Sequence, residues 1–216
     1  MGHYGSGKTF VSVNYAIMMK KIFPVKDVTI YDLDIVNPYY RTVDANEMLK
    51  KSSVQLVVSP YAETNVDIPA LNSGSYKMLN KDGGIAVLDI GGDDRGALAL
   101  GRFREGILEE DNYEIFFVLN SFRPETRSIE LALEIKKEIE IASKLKFTAI
   151  VNNSNLGLET EERHILSGYE FAKNFSKITG LPVKFTSVRE DLINPNLQEK
   201  LKNILPVSPI KYGDWL

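Results

Sequence analysis

Short runs of apolar, often β-branched residues alternate along this chain with longer segments in which apolar residues recur at helical spacing. Strands that read as continuous apolar runs are buried on both faces, and helical segments between them are typical of a parallel sheet covered by helices. The pattern predicts an α/β fold, with a doubly wound, mostly parallel sheet and helices on both faces as in a Rossmann-like three-layer sandwich. The predicted strands are residues 28–33, 54–59, 85–90, 115–120, 147–152 and 183–187.

The segments between the strands predict helices over residues 9–22 and 125–144, and another that ends near Gly180. The chain contains no repeat, low-complexity segment or Gly/Ser linker, so a single domain over residues 1–216 is expected. Residues 205–216 contain two prolines and are expected to form an irregular tail, with Trp215 packed down.

Composition narrows the functional classes. The chain has 216 residues, 44% of them hydrophobic, which is enough for one sizeable core. Its net charge of -3 combines scattered charges of both signs, so nucleic acid is not an expected partner. Since no apolar run approaches the roughly 20 residues of a membrane span and no leader is visible, a cytoplasmic protein is expected. The chain lacks cysteine, which excludes thiolate metal sites and disulfides.

A glycine-rich motif at the start of the chain carries the clearest chemistry. Gly2-x4-Gly7-Lys8-Thr9 matches the full G-x-x-x-x-G-K-[ST] pattern of a phosphate-binding loop. The glycines let the backbone turn its N–H groups towards phosphate oxygens, Lys8 neutralises the β- and γ-phosphates, and the Thr9 hydroxyl is a ligand for Mg²⁺. The helix that follows presents its positive end to the phosphates. The motif therefore predicts a nucleotide site.

Only Met1 precedes this motif, although such a loop normally follows a buried strand. Without that strand, its two neighbours would leave buried backbone groups unpaired, at about 1–3 kcal/mol each. We therefore expect the first strand of the natural protein to lie upstream of Met1.

Asp32 and Asp34 lie at the end of the predicted strand 28–33, and ligands bind at strand carboxyl ends in open parallel sheets. Asp34 is the stronger candidate to hold Mg²⁺ or to orient an attacking water, because Asp32 is expected to point to the opposite face. Capping of the turn before Asn37-Pro38 is the alternative role for Asp34.

A second acidic motif, Asp89-Ile90-Gly91-Gly92, ends the predicted strand 85–90. It has the Walker B arrangement, in which Asp89 reaches the metal through water and a glycine amide contacts the γ-phosphate. A buried aspartate in an apolar run is costly without a compensating partner. The alternative is a strand followed by a simple glycine-rich turn.

Together these motifs resemble the ParA/MinD/CobQ-type ATP-binding proteins of the SIMIBI class of P-loop NTPases. The resemblance rests on residues 2–9, 32–38 and 89–92, and more loosely on residues 151–153, where members of the class place an asparagine for the base. It implies a P-loop NTPase fold, bound Mg-ATP, hydrolysis coupled to conformational change, and a protein partner or homodimer. The residues it implies at the nucleotide are Gly2, Gly5, Ser6, Gly7, Lys8, Thr9, Phe10, Gly91 and Asn152, with Lys8, Asp34 and Asp89 catalytic and Thr9, Asp34 and Asp89 at the metal.

The chain departs from this pattern at two places. ParA and MinD proteins carry a signature lysine directly after the first glycine, which reaches the partner subunit's nucleotide, and here that residue is His3. The dimer-activated mechanism therefore does not follow. GTPases read guanine with Asn-Lys-x-Asp, whereas residues 152–155 read Asn-Asn-Ser-Asn and have no carboxylate, which favours adenine.

Three functions stay open. The first is a ParA-like ATPase that hydrolyses ATP slowly and signals to a protein partner or client. The second is an ATP-dependent biosynthetic ligase of the CobQ or dethiobiotin synthetase type, which also lacks the signature lysine and for which Arg41, Arg95 and Arg123 are the candidate substrate contacts. The third is a non-hydrolysing module in which ATP orders the loop of residues 34–41, where Tyr39 and Tyr40 suit an interface.

Overall fold

The computed structural model describes residues 1–34, 42–58, 83–92, 94–101, 103–110 and 112–210. Its strands are β1 (Val28–Leu33), β2 (Gln55–Val58), β3 (Ile85–Ile90), β4 (Phe116–Leu119), β5 (Ala149–Asn152), β6 (Val183–Arg189) and β7 (Ile204–Val207). Its helices are α1 (Lys8–Ile22), α2 (Asn46–Lys51), α3 (Asp94–Gly101), α4 (Arg104–Glu109), α5 (Ile129–Ser143), α6 (Glu162–Thr179) and α7 (Pro195–Lys200).

The strands form two groups, and the strands within each group are parallel. Their orders are β2-β1-β3 and β4-β5-β6-β7, and each neighbouring pair is parallel. Met1 lies against β4, because its amino group donates to the Phe116 carbonyl at 2.8 Å and its carbonyl accepts from the Val118 N–H at 2.7 Å. The predicted parallel α/β architecture is confirmed. The strands form two separate hydrogen-bonded groups, and among the described residues no strand pairing joins β3 to β4.

Helices cover both faces of the strands. On one face, Val11 of α1 packs in a cluster with Val118 of β4. On the other face, Phe117 of β4 packs with Ala132 of α5 and Phe175 of α6. Neighbouring residues of β4 therefore point into different apolar layers, which explains why the strand is a continuous apolar run. Helices on both faces were predicted, and this prediction is confirmed.

The prediction of an irregular tail over residues 205–216 is wrong for its first part. Ile204–Val207 forms the edge strand β7, in which Leu205 and Val207 are buried and Pro206 is exposed. Proline has no N–H to donate and is tolerated at a sheet edge, so Pro206 does not break this strand. Trp215 lies outside the described residues.

The helix boundaries follow their capping residues. α6 ends at Gly180, whose φ of 74° is left-handed and whose N–H donates to the Ser176 carbonyl at 2.9 Å, as predicted. α5 begins later than predicted, because Ser128 accepts from the Leu131 N–H and caps the helix there. No helix in the described part of the chain combines the length and apolar character needed to cross a bilayer.

A buried carboxylate joins α5 to the start of β5. Glu140 is 8% exposed and accepts hydrogen bonds from Lys136 at 2.9 Å, from Lys146 at 3.0 Å and from the Phe147 N–H at 3.1 Å. Burial alone would raise the pKa of Glu140, but these hydrogen bonds outweigh burial and lower it. The charged carboxylate therefore stabilises the folded chain.

Candidate nucleotide site

The glycine-rich loop is shaped by backbone conformations that favour glycine. Gly5 and Gly7 have φ values of 76° and 83°, and Gly7 is the residue that precedes α1. The Ser6 N–H donates to the His3 carbonyl at 3.1 Å, which closes a turn inside the loop. Side chains other than glycine are strained in this left-handed region, so the sequence motif and the observed loop agree.

Two further glycines allow the loop to touch the ends of β3 and β4. A Cβ atom on Gly92 would lie 2.9 Å from the Tyr4 nitrogen and would also contact Lys8 Nζ. A Cβ atom on Gly2 would overlap the Val118 carbonyl of β4. The loop is therefore a tight backbone cradle between the two strand ends, and side chains at these positions would fill it.

Lys8 lies on the inner side of this cradle. The residue is 8% exposed, and its ammonium donates to the His3 carbonyl at 3.1 Å. The ammonium is therefore enclosed between the loop and the turn after β3. A cation in this place is positioned to neutralise an anion that the loop amides bind.

Asp89 is surrounded by hydroxyl groups. It is 1% exposed, and it accepts from Ser12 at 3.2 Å, from Thr42 at 2.9 Å and from Thr9. Burial raises the pKa of Asp89, although the bonds from Thr9 and Thr42 and the nearby Lys8 act in the opposite direction. The sequence motif did not point to Ser12 or Thr42, because neither belongs to a known spacing with Asp89.

Asp32 and Asp34 lie beside Asp89. Asp34 is 8% exposed, and its N–H donates to Asp32 Oδ1 at 3.1 Å. Asp32 is paired in register with Asp89 on the neighbouring strand. Residues in register on parallel strands share a face, so the expectation that Asp32 points to the opposite face is wrong. The fold therefore gathers three carboxylates at this edge.

These oxygen atoms suit a magnesium ion. Thr9 supplies a hydroxyl, and Asp34 and Asp89 supply carboxylates, which are the hard donors that Mg²⁺ prefers. Among the residues that the structure describes, no group of three histidine, cysteine or acidic side chains forms a complete metal site. Since Mg²⁺ commonly keeps waters and phosphate oxygens in its shell, a few protein donors are sufficient.

Asn152, the predicted base contact, is an internal residue in this structure. It is fully buried. Its side-chain amide donates to the Thr186 hydroxyl at 3.3 Å, and its side-chain oxygen Oδ1 accepts from the Ser154 N–H at 3.2 Å. Its neighbour Asn153 has the more direct link to the loop, because its amide donates to the Ser6 carbonyl at 2.7 Å. The sequence analysis placed Asn153 in the segment 151–153 but did not predict its contact with the loop, because that contact joins distant parts of the chain.

The remaining predicted residues lie around the loop. Phe10 packs into the apolar layers on either side of α1, and Gly91 is buried after β3. His3 turns away towards Glu125, with 3.8 Å between Nδ1 and Oε2. Arg123 lies over the loop, since a Cβ atom on Gly5 would be 3.6 Å from its Nε. The predicted contacts Tyr39, Tyr40 and Arg41 lie outside the described residues, as does the side chain of Arg95.

Comparisons with known proteins identify the fold. No family model matches the chain, and a search of curated proteins finds no match. Among solved structures, the cell division protein FtsY from Thermotoga maritima matches with a TM-score of 0.59 and 13% identity, over 87% of this chain and 60% of that chain. This chain therefore shares its parallel α/β fold with that structure.

A second solved structure gives the same result. The 54 kDa protein of the signal recognition particle from Aeropyrum pernix K1, solved in complex with GDP, has a TM-score of 0.56 and 15% identity, over 86% of this chain and 39% of that chain. At these identities the likeness shows the fold alone. This chain also spans only 60% and 39% of the lengths of these two structures.

Proposed function

We propose that this chain binds Mg-ATP in the loop of residues 2–9 and hydrolyses it slowly, as a ParA-like ATPase that signals to a protein partner. The main support is the convergence of the glycine cradle, Lys8 and Asp89 at the carboxyl ends of β3 and β4. Ligands bind at this edge in open parallel sheets. The P-loop fold of the matched structures supports nucleotide binding in general.

The phosphates would be bound by the backbone and by one lysine. The loop N–H groups and the amino end of α1 attract anions, and the ammonium of Lys8 adds a full positive charge. The Ser6 hydroxyl is buried and has no hydrogen-bond partner among the described residues, so it is available to donate to a phosphate oxygen. The donor set therefore suits a polyphosphate.

Thr9, Asp34 and Asp89 would hold Mg²⁺, which when bound supplies positive charge to the phosphates. Burial raises the pKa of Asp89, so the charged form of this carboxylate lacks part of the stabilisation that water would provide. A divalent cation beside Asp89 supplies that stabilisation. Asp34, which follows the neighbouring strand β1, would orient an attacking water.

ATP is proposed over GTP because residues 152–155 contain no carboxylate to accept from guanine. The likeness to a GDP-bound structure does not decide between ATP and GTP, because it shows the fold alone. The preference for adenine is tested by measuring how well ATP and GTP each displace a bound fluorescent nucleotide analogue. Stronger competition by GTP would overturn the adenine assignment and leave the phosphate site unaffected.

The proposed function is tested by replacing the loop lysine. Lys8→Ala is expected to weaken nucleotide binding roughly 10- to 100-fold, because it removes a buried charged donor, and to abolish phosphate release. Lys21→Ala is the matched control, because Lys21 is exposed on the same helix. Asp89→Asn is expected to retain part of the binding and to lose magnesium dependence.

The outcomes separate the three functions. Phosphate release that is undiminished in Lys8→Ala refutes the ATPase. Tight binding without any release, with and without added proteins, favours the non-hydrolysing module. Release that small carboxylates stimulate favours the ligase, and Arg123, which lies over the loop, is then the first residue to replace.

A further inference from the structure

An exposed apolar turn lies where α1 meets β1. In this turn Val25 is 96% exposed, Ile22 is 56% exposed and Phe23 is 38% exposed. Single exposed apolar side chains are common in soluble proteins, whereas a group of them at one place is characteristic of an interaction site. We call residues 22–25 the apolar tip.

Hydrogen bonds hold the apolar tip in one shape. The Lys26 N–H donates to the Phe23 carbonyl at 3.1 Å and closes a turn. The ammonium of Lys20 donates to the Pro24 carbonyl at 3.0 Å and to the Lys26 carbonyl at 2.7 Å. Because Pro24 also fixes its own φ angle, the turn displays Val25 to solvent before any partner binds.

Positive charge surrounds the apolar tip. β1 and β2 are parallel neighbours, so the ends of α1 and α2, each of which precedes one of these strands, lie at the same edge of the sheet. The exposed lysines at this edge are Lys21, Lys26, Lys50 and Lys51. None of these four lysines forms an ion pair within the part of the chain that the structure describes.

This positive charge is local. Asp27 is the only acidic residue in the segments 20–27 and 50–54, which together hold five lysines. The chain as a whole has a net charge of -3. The edge that carries the apolar tip is therefore complementary to an anionic surface, although the rest of the chain is not.

We propose that the apolar tip and its lysines dock this protein on the surface of a membrane that contains anionic phospholipids. The lysines bind lipid phosphates, while Ile22, Phe23 and Val25 enter the boundary between headgroups and acyl chains. A nucleic acid backbone would attract the lysines but offers no apolar layer to the tip. A fluid lipid layer accommodates a protruding side chain without a preformed pocket, so it uses both features of this edge.

The docking surface is remote from the nucleotide site. α1 begins with Lys8 at the glycine-rich loop and ends with Ile22 in the apolar tip. At 1.5 Å for each residue, this helix separates the two places by about 22 Å. The docked protein thus keeps its nucleotide site away from the lipid, and the proposal does not depend on the proposed ATPase.

Sedimentation with phospholipid vesicles tests the proposal. The protein is expected to bind vesicles of phosphatidylcholine that contain phosphatidylserine, and not vesicles of phosphatidylcholine alone. Lys21→Gln and Lys26→Gln are each expected to weaken this binding about fivefold, because each removes one charge near the anionic surface. Val25→Ser is expected to weaken it about tenfold, because it removes the most exposed side chain of the tip from the lipid layer.

Two matched controls lie elsewhere on the molecule. Leu158 is 87% exposed in the turn after β5, at the opposite edge of the sheet, and Lys137 is exposed in the middle of α5. Leu158→Ser and Lys137→Gln are expected to leave vesicle binding unchanged.

A fluorescent label locates the contact directly. The chain contains no cysteine, so Val25→Cys creates a single labelling site. An environment-sensitive dye at this site is expected to shift its emission to the blue on vesicles that contain phosphatidylserine. The same dye attached through Leu158→Cys is expected to show no shift.

Four results overturn the proposal: equal binding to the two kinds of vesicle, no binding to either, equal losses from Val25→Ser and Leu158→Ser, or equal dye shifts at the two cysteines. Binding to a DNA duplex that weakens in Lys21→Gln but not in Val25→Ser, without binding to vesicles, overturns it and assigns the lysines to nucleic acid. None of these measurements uses a nucleotide, so their failure is distinct from a failure of the proposed ATPase.

Discussion

In a polypeptide that begins at Met1, lowering the pH from 8 to 5 is expected to destabilise the fold through the Met1 amino group, whose folded-state pKa is lowered from the ordinary 8.0 to about 5. Burial is the largest cause, because it removes water from the charged form, and the nearby Lys8 adds to it. Between these two values the unfolded chain carries a proton on this group and the folded chain does not. The contribution to stability is therefore fully present above pH 8 and is lost as the pH falls towards 5.

The magnitude follows from the difference between the two pKa values. At about 1.4 kcal/mol for each pKa unit, the free energy of unfolding changes by up to about 4 kcal/mol. This is a large part of the roughly 5–15 kcal/mol that holds a typical domain folded. Urea unfolding at several pH values between these limits measures it directly.

The control is the same chain acetylated at Met1. Acetylation removes the titrating amine and keeps an N–H that donates to the Phe116 carbonyl. Both chains contain the same histidines and carboxylates, so the difference between their stability curves isolates the amine. Intact mass verifies that Met1 is retained. Curves that stay parallel within about 0.5 kcal/mol across the range would refute the reasoning.

Three further substitutions test other parts of the structure. Glu140→Gln is expected to cost about 1–3 kcal/mol in urea unfolding, because a buried charged acceptor is removed, while exposed Glu138→Gln costs little. The contribution of Glu140 is present above its ordinary pKa and is lost as the pH falls, since its pKa is lowered. Asn153→Ala removes the hydrogen bond to the Ser6 carbonyl of the loop. It is expected to weaken ATP binding roughly tenfold in a fluorescence titration. Gly7→Ala strains a φ of 83° and meets the Asn153 amide, so it is expected to destabilise the chain by about 1–3 kcal/mol, more than Gly157→Ala, where the φ is 63° and the surroundings are open.

Each of these predictions has a contrary result. Equal stability of the Glu140→Gln and Glu138→Gln chains would show that the buried hydrogen bonds contribute nothing. Unchanged ATP affinity in Asn153→Ala would show that the loop holds its shape without that amide. Equal losses at Gly7 and Gly157 would show that backbone strain alone, and not the close contact, decides the cost.

The positions of the first six strands along the chain and the phosphate-binding loop could be predicted from the sequence. Both depend on residues that are close together: the glycines and Lys8 are adjacent, and each strand is a short apolar run. Gly180 ended its helix as predicted, because a left-handed residue after a helix is a local preference. The strand at Ile204–Val207 was missed, since the pairing partner of an edge strand lies elsewhere in the chain and Pro206 indicated a loop.

Sequence by itself therefore determined which chemical groups this protein carries and which α/β layers it builds. Only the tertiary structure decided which groups meet. Sheet register placed Asp32 beside Asp89, packing between β5 and β6 buried Asn152, and a contact across the fold brought Asn153 to the loop. The physical reason is that these contacts join residues far apart in the chain, so their distances follow from strand order and helix packing and not from spacing in the sequence.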